Sequence, residues 1–314
     1  MTTSPTAGTT TLRIGHSPDP DDAFMWYPLA NFVGPDGKRY TPKIDTRGYE
    51  FVHVLEDIQS LNVRSAKAEL EITAISIHQY PYVAKDYALT SCGSSMGDGY
   101  GPMIVSRHGD LSPHALKGKR IAIPGERTTA WLAFQLLLKE HGLSKDDITF
   151  ENVMFDEIIP KVVAGEYDAG LIIHEGQITY EQNDLSLVVD LGKWWTDSRG
   201  LPLPLGGNCI RRDVGGGDPA EIANVCRILL DSIEYALTHR EDAVKFALNW
   251  ARDMGGDLAD EFVGMYVNDW TLDYGQRGRD AVNQLLTEGA EAGLVPALPT
   301  DDARVDFIDP APCS

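Results

Sequence analysis

An α/β protein of two lobes with a cleft between them is the fold this chain should adopt, on three grounds. Short β-rich runs alternate with amphipathic helical segments through its first two thirds, the order that builds mainly parallel sheets covered by helices. At 314 residues the chain is too long for one small core, and two units that each bury an interior are the usual outcome. Two stretches containing Gly and Pro, "YGPMIVSR" and "LPLPLGGNCIRR", join short β runs and read as crossings from one lobe to the other. Two crossings make one lobe discontinuous. The expected division is a larger lobe from 11–104 plus 207–314, a smaller lobe from 105–206, and a flexible N-terminus over 1–10.

"TLRIGHS" predicts a first strand over Thr11–Gly15, then a Pro/Asp-rich turn and a helix from about Asp22. "GYEFVHVLEDIQSLNVRSA" predicts a strand and a helix near Asp57, and "LEITAISIHQYPYVA" repeats that order. The clearest unit is "GKRIAIPGERTTAWLAFQLLLKEHGL": a buried strand over Arg120–Ile123, a tight loop, and a helix from Thr129. Trp131, Phe134 and Leu138 keep the helix's apolar face at i, i+3, i+7, and Gly142 can close it at C′. Another strand follows at Ala169–Ile173. The last third is mainly helical. There Asp218 stands as N-cap with Pro219 at N1 and Glu221 at N3, a capping-box arrangement. Ile222, Val225, Leu229 and Ile233 then form one stripe.

Charge narrows the function. Against 27 Lys+Arg stand 47 Asp+Glu, a net −20, which repels phosphate backbones and anionic lipid heads. Neither nucleic acid nor a membrane surface is an expected partner. No window approaches the ~18 consecutive apolar residues of a membrane span. "MTTSPTAGTTT" lacks the basic start and the apolar stretch of ~7–15 residues of a secretory signal. Cys92, Cys209, Cys226 and Cys313 are scattered and read as reduced thiols. A cytoplasmic protein is expected.

Ligands of open parallel α/β sheets sit beyond the carboxyl ends of the strands. That rule selects His16 and Ser17 after the first strand, Ser76 after "ITAI", Thr128 and Thr129 after "RIAI", and His174 with Glu175 after "GLII". A threonine at a helix start either caps its own helix or sits where unpaired N–H groups receive a carboxylate or phosphate. An imidazole at a strand end is either a satisfied surface histidine or a base, since it titrates near pH ~6.5 and is mostly unprotonated at neutrality. Glu175 could orient His174, but adjacent residues on an extended strand point to opposite faces. "HSPDPDD" offers hard-ion ligands in His16, Asp19, Asp21 and Asp22. It matches no EF-hand spacing, and aspartates suit the helix that begins here, so no metal is expected. "GSSMGDGYGP" leads into a β run instead of a helix; it fails as a dinucleotide loop and reads as a hinge.

Several blocks in order, "VLEDIQSLN", "PGERTTAW", "YDAGLIIHE", "DLGKWW", "GLPLPLGG" and "YVNDWTLD", resemble the 1,4-dihydroxy-6-naphthoate synthases of the futalosine route to menaquinone. The likeness runs from about Leu12 to Val295. It implies the fold of type II periplasmic binding proteins. It also implies a lyase that needs no cofactor and acts on cyclic dehypoxanthinyl futalosine, releasing the dihydroxynaphthoate and a three-carbon sugar fragment. Carried over by position, the family's catalytic histidine falls on His174 as proton acceptor. Its substrate contacts fall on Thr128, Thr129 and Ala130, on Ala74, Ile75 and Ser76, and on Asn62; Ser17 follows the first strand in the same cleft. The partner implied is a small-molecule carboxylate. A homodimer would find its interface in the helical C-terminal region.

Three features depart from the family pattern. The octet after the first strand is usually S-P-C-P-N-D-T-F, whereas this chain has Ser17-Pro-Asp-Pro-Asp-Asp-Ala-Phe24, so Asp19 and Asp21 add negative charge. "GPDGKRYTPKIDTRG" lengthens the connection before Tyr49. Ala74 stands where some members carry a lysine. Two other readings compete: a non-catalytic solute-binding protein for a small carboxylate, and the sister chorismate dehydratase, which should lack the G-L-I-I-H-E block.

Overall fold

The computed structural model describes residues 10–108, 111–174, 176–250 and 256–312, with side chains in the last stretch described from Ala259. Glu175, Cys313 and residues 1–9 lie outside the described residues. Twelve strands are described: β1 (Thr10–His16), β2 (Tyr49–Leu55), β3 (Ile72–Ser76), β4 (Tyr87–Thr90), β5 (Ser95–Gly97), β6 (Met103–Ser106), β7 (Arg120–Ile123), β8 (Thr149–Asn152), β9 (Ala169–Ile172), β10 (Ser186–Asp190), β11 (Leu203–Arg211) and β12 (Phe307–Ile308). The helices in the first half are α1 (Pro20–Trp26), α2 (Ile58–Ser65), α3 (Tyr80–Val83), α4 (Thr129–Glu140) and α5 (Phe155–Ala164). Then come α6 (Gly176–Thr179), α7 (Leu191–Arg199), α8 (Pro219–Thr238), α9 (Arg240–Ala247), α10 (Gly256–Tyr266), α11 (Asp269–Leu272) and α12 (Gly275–Glu291).

The strands form two sheets of the α/β type. The first has the order β12-β4-β11-β3-β1-β2 with β5 also on β11, and the second β10-β6-β9-β7-β8. β1 pairs parallel with β2 and β3, and β7 parallel with β8 and β9, as strand–helix–strand units require. Antiparallel pairing enters through the strands nearest the crossings, β6 in the second sheet and β11 in the first. At the first crossing backbone lies directly on the start of α7: a Cβ on Gly192 would come within 1.8 Å of Tyr100 O, and one on Gly101 within 2.9 Å of Gly192 Cα. Within "GSSMGDGYGP", Gly101 is therefore held in a tight backbone contact.

α4 departs from its expected amphipathic pattern. Every residue from Thr129 to Leu138 is buried, so the Trp131, Phe134, Leu138 stripe is only part of its covered surface. The reason is position, since α4 follows β7 of the second sheet yet packs against β11 of the first, α7 and α12. A helix covered all round belongs to the interior. It ends as expected, with Gly142 at φ +68° and the paired bonds Leu143 N–H to Leu138 O (2.8 Å) and Gly142 N–H to Lys139 O (3.0 Å), the two bonds of a Schellman motif. The largest apolar cluster runs from Ile75, Tyr80 and Leu89 through Trp131 and Phe134 to Ile121 and Leu171. That cluster spans both sheets, while a second cluster around Ile14, Trp26 and Leu229 belongs to the first sheet and a third around Val105, Ile158 and Ile172 to the second.

Elsewhere local chemistry follows the sequence with one change. Asp218 caps α8 through Ala220 N–H (2.9 Å), and Ile222, Val225, Leu229 and Ile233 are buried. Glu221 does not complete the capping box; its carboxylate accepts from Tyr49 Oη at 2.8 Å. The long connection before β2 packs on α9 through Tyr40, 4.8 Å from the Phe246 ring, and contributes nothing to the cleft wall.

Candidate active site

A cavity of about 110 Å³ lies where β1, β3, β7 and β9 end. Its wall includes His174, Ser17, Ala74, Ile75, Ser76, Thr128, Thr129 and Ala130, which four separate stretches of sequence deliver to one place. Asn62 is the expected residue that is not on the wall. It lies fully buried behind Ser76, donating from Nδ2 to Ser76 Oγ (3.0 Å) and accepting Ser76 N–H at Oδ1 (2.9 Å). This two-point grip fixes Ser76 in the cavity wall. His16 also stays out of the cavity: Nδ1–H donates to Ser17 O (2.7 Å), leaving Nε2 to accept from His53 Nδ1–H (2.8 Å).

The two threonines are committed to the protein. Thr128 Oγ1 accepts Trp131 N–H (3.2 Å) and donates to Gly125 O (2.7 Å), so it caps α4. Thr129 Oγ1 donates across the cleft to Leu205 O (2.6 Å) and accepts His78 N–H (3.2 Å). What the helix start offers a ligand is backbone. Among the described residues the N–H groups of Thr129 and Ala130 have no acceptor, and they stand at the positive end of the helix dipole. The same loop is clasped from the first lobe by three more bonds. Arg127 N–H donates to Gln59 Oε1 (3.2 Å), Asn62 Nδ2 to Arg127 O (3.3 Å), and His78 Nδ1–H to Thr128 O (2.9 Å).

His174 follows β9 in a left-handed conformation, φ +53°. Histidine is among the side chains that tolerate this region best, yet it is still a strained choice. The turn swings the ring away from the sheet to stand between Phe155 and Phe262, with centroids at 4.8 and 6.3 Å. Nε2 lies 3.5 Å from Asp19 Oδ2. Gln177 secures the turn: with Nε2 donating to Gly101 O (2.6 Å), its carbonyl accepts His174 N–H (3.3 Å) and Tyr266 Oη (2.8 Å).

Asp19 and Asp21 face this histidine from the other lobe, with Asp22 beside them. Ser17 N–H donates to Asp22 Oδ2 (2.8 Å), and Asp19 N–H to Ser17 Oγ (3.1 Å). Removal from water raises the carboxyl of Asp21 above the ordinary range; His174 pulls it down and Asp19 adds to the rise. Asp22 is raised further, by burial first and by Asp21 second. The sequence marked these aspartates as charge in a substrate's way and as helix caps. It gave no sign that Asp19 and Asp21 would face His174, because that contact joins segments about 150 residues apart. Gln177, Asn208, Phe262 and Tyr266 also line the cavity and carried no signal of their own.

Two α/β lobes meeting at strand ends around a ligand-sized recess define a protein of the periplasmic-binding-protein fold. Solved structures with little sequence likeness agree. The alkanesulfonate-binding protein of Xanthomonas axonopodis bound to MOPS is 14% identical, with a TM-score of 0.64 covering 92% of this chain and 96% of that one. The chain belongs to the menaquinone biosynthesis family, whose model matches residues 12–291. It is 34% identical to a 1,4-dihydroxy-6-naphthoate synthase of Streptomyces coelicolor, over 93% of this chain and 97% of that one. It is 37% identical to the synthase of the same name from Thermus thermophilus, over 92% and 97%. A crystal structure of an Archaeoglobus fulgidus protein is 39% identical, with a TM-score of 0.78 covering 91% of this chain and 98% of that one.

Proposed function

We propose that this protein is a carbon–carbon lyase of menaquinone biosynthesis. It converts cyclic dehypoxanthinyl futalosine to 1,4-dihydroxy-6-naphthoate with His174 as base. The observation that carries the reading is His174 itself, held out of the sheet in a strained turn on the wall of the cavity where all the other expected residues but Asn62 meet. His174 takes the proton of a substrate hydroxyl, and the O–H electron pair becomes the second bond of a carbonyl as the adjacent C–C bond breaks. The electrons of that bond pass into the ring system, where aromatisation retains them and a ring oxygen recovers a proton. A three-carbon sugar fragment leaves. Electrons stay within the substrate throughout, so the chemistry calls for no redox partner. The substrate carboxylate is received by the N–H groups of Thr129 and Ala130, and Ser76 and Ser17 position the remainder.

The test is an assay for dihydroxynaphthoate release by wild type and His174→Ala. The variant should lose roughly 10²–10⁴-fold in kcat, the usual range for a positioned base, while retaining its unfolding midpoint to within a few degrees. Undiminished turnover in the variant would remove His174 as the base. A wild type that binds a small carboxylate tightly yet never turns over this substrate would establish the binding-protein reading instead.

A further inference from the structure

Two buried oxygens on the cavity wall have no hydrogen-bond partner among the described residues, Oδ1 of Asp21 and Oδ1 of Asn208. Asp21 is 8% exposed and Asn208 1%, so bulk water reaches neither well. Asn208 has committed its other amide atom to Gly93 O (2.8 Å). A buried acceptor without a donor is costly, and a cavity carrying two calls for a ligand that brings donors. The second lobe supplies the opposite chemistry in the N–H groups at the start of α4. The wall therefore matches an acid that also carries a hydroxyl at a separate position.

Building on the lyase reading, we propose that Asp21 is a substrate-contacting, specificity-determining residue: its Oδ1 accepts a hydrogen bond from a substrate hydroxyl and turns a carboxylate away. An asparagine, as in the family's usual octet, would accept the same bond without the charge. The aspartate adds rejection of anions, which costs a carboxylate both an unmet acceptor and like-charge repulsion. His174 faces Asp21 from the second lobe, Asp19 and Asp22 from its own turn, and Tyr266 from α10. Arg240 of α9 is turned instead to Asp260 (2.8 Å). Because burial holds the Asp21 carboxyl above the ordinary range, its charge can be removed by mild acid while aromatic carboxylates stay ionised.

Calorimetric binding of three acids of similar size tests this: 2-naphthoate, 6-hydroxy-2-naphthoate and naphthalene-2,6-dicarboxylate, each at pH 8 and pH 5. The wild type at pH 8 should prefer the hydroxy acid over 2-naphthoate by about 10-fold and reject the dicarboxylate. Asp21→Asn should keep the hydroxyl preference and bind the dicarboxylate about 10-fold more tightly, and Asp21→Leu should lose the hydroxyl preference. In the wild type the dicarboxylate should gain affinity at pH 5, and the part of that gain absent from Asp21→Asn belongs to Asp21. The pH arm needs no variant to fold. Equal affinities in wild type and variants, with turnover intact, overturn the role of Asp21 alone. No turnover and no binding of any of the three would overturn the lyase reading and this one together.

Discussion

Thr128 uses both hydrogen-bonding capacities of its hydroxyl on its own loop, accepting from Trp131 and donating to Gly125. Its contribution is thus to stability. Thr128→Ala should cost about 1 kcal/mol, the ordinary value of a lost N-cap, seen as a fall of roughly 2–4 °C in thermal midpoint. A larger loss of substrate affinity than of stability would show that the hydroxyl meets substrate after all. The strand-end rule made Ser17, Ser76, Thr128, Thr129 and His174 legible, because side chains at those points have no sheet to pack on. Asn62 was legible only through family likeness; nothing in its own segment shows that it grips Ser76 from behind. The conformation of His174 was not legible either. Its positive φ depends on Gln177, Tyr266 and Gly101, which three different parts of the chain bring together.

β7, α4 and their loop were the most readable unit because strand, cap and C-terminal glycine all speak within 25 residues. What local sequence missed is that α4 is covered on every side, since the helix lies against the returning strand β11, more than 60 residues later. The same blindness affects Glu221, a capping residue by spacing that a tyrosine from β2 draws away. The glycine contact between the first crossing and the start of α7 gives an element-level prediction. Gly192→Ala places a Cβ 1.8 Å from Tyr100 O, backbone that cannot step aside as a side chain would. The expected cost is about 1–3 kcal/mol, read from denaturant unfolding, with the crossing pushed apart. A neutral result would mean that the two segments are not packed this closely in solution.

Acid should weaken the whole molecule. Burial holds His53 and His78 at about 4 and His16 well below its ordinary value, whereas each titrates near ~6.5 unfolded. Between those values the unfolded chain binds more protons, so stability falls as pH drops from 6.5 toward 4. Asp21 and Asp22 act in the opposite sense, for a raised carboxyl gains stability on protonation. Three groups against two leave a net loss on acidification. The midpoint by scanning calorimetry should be lower at pH 5 than at pH 6.5, and the fall between the two should be larger in Asp21→Asn, which lacks one opposing group. A midpoint that rises on acidification would contradict this balance.

The clasp between the lobes has a consequence for how fast and how often the cleft is used. Five bonds, from Gln59, Asn62 and His78 to the loop before α4, from Thr129 Oγ1 to Leu205 O and from His78 N–H to Thr129 Oγ1, tie the start of α4 to the first sheet beside the cavity. At roughly 0.5–1.5 kcal/mol apiece, they are what any opening of the cleft must break. A ligand that needs the cleft open to enter would bind with its intrinsic affinity diluted by the open fraction. Residence time works in the other direction, because the same bonds must break before product escapes. Firm retention of a bound ligand and slow exchange with solvent are therefore one property of this cleft, set by the loop that opens α4.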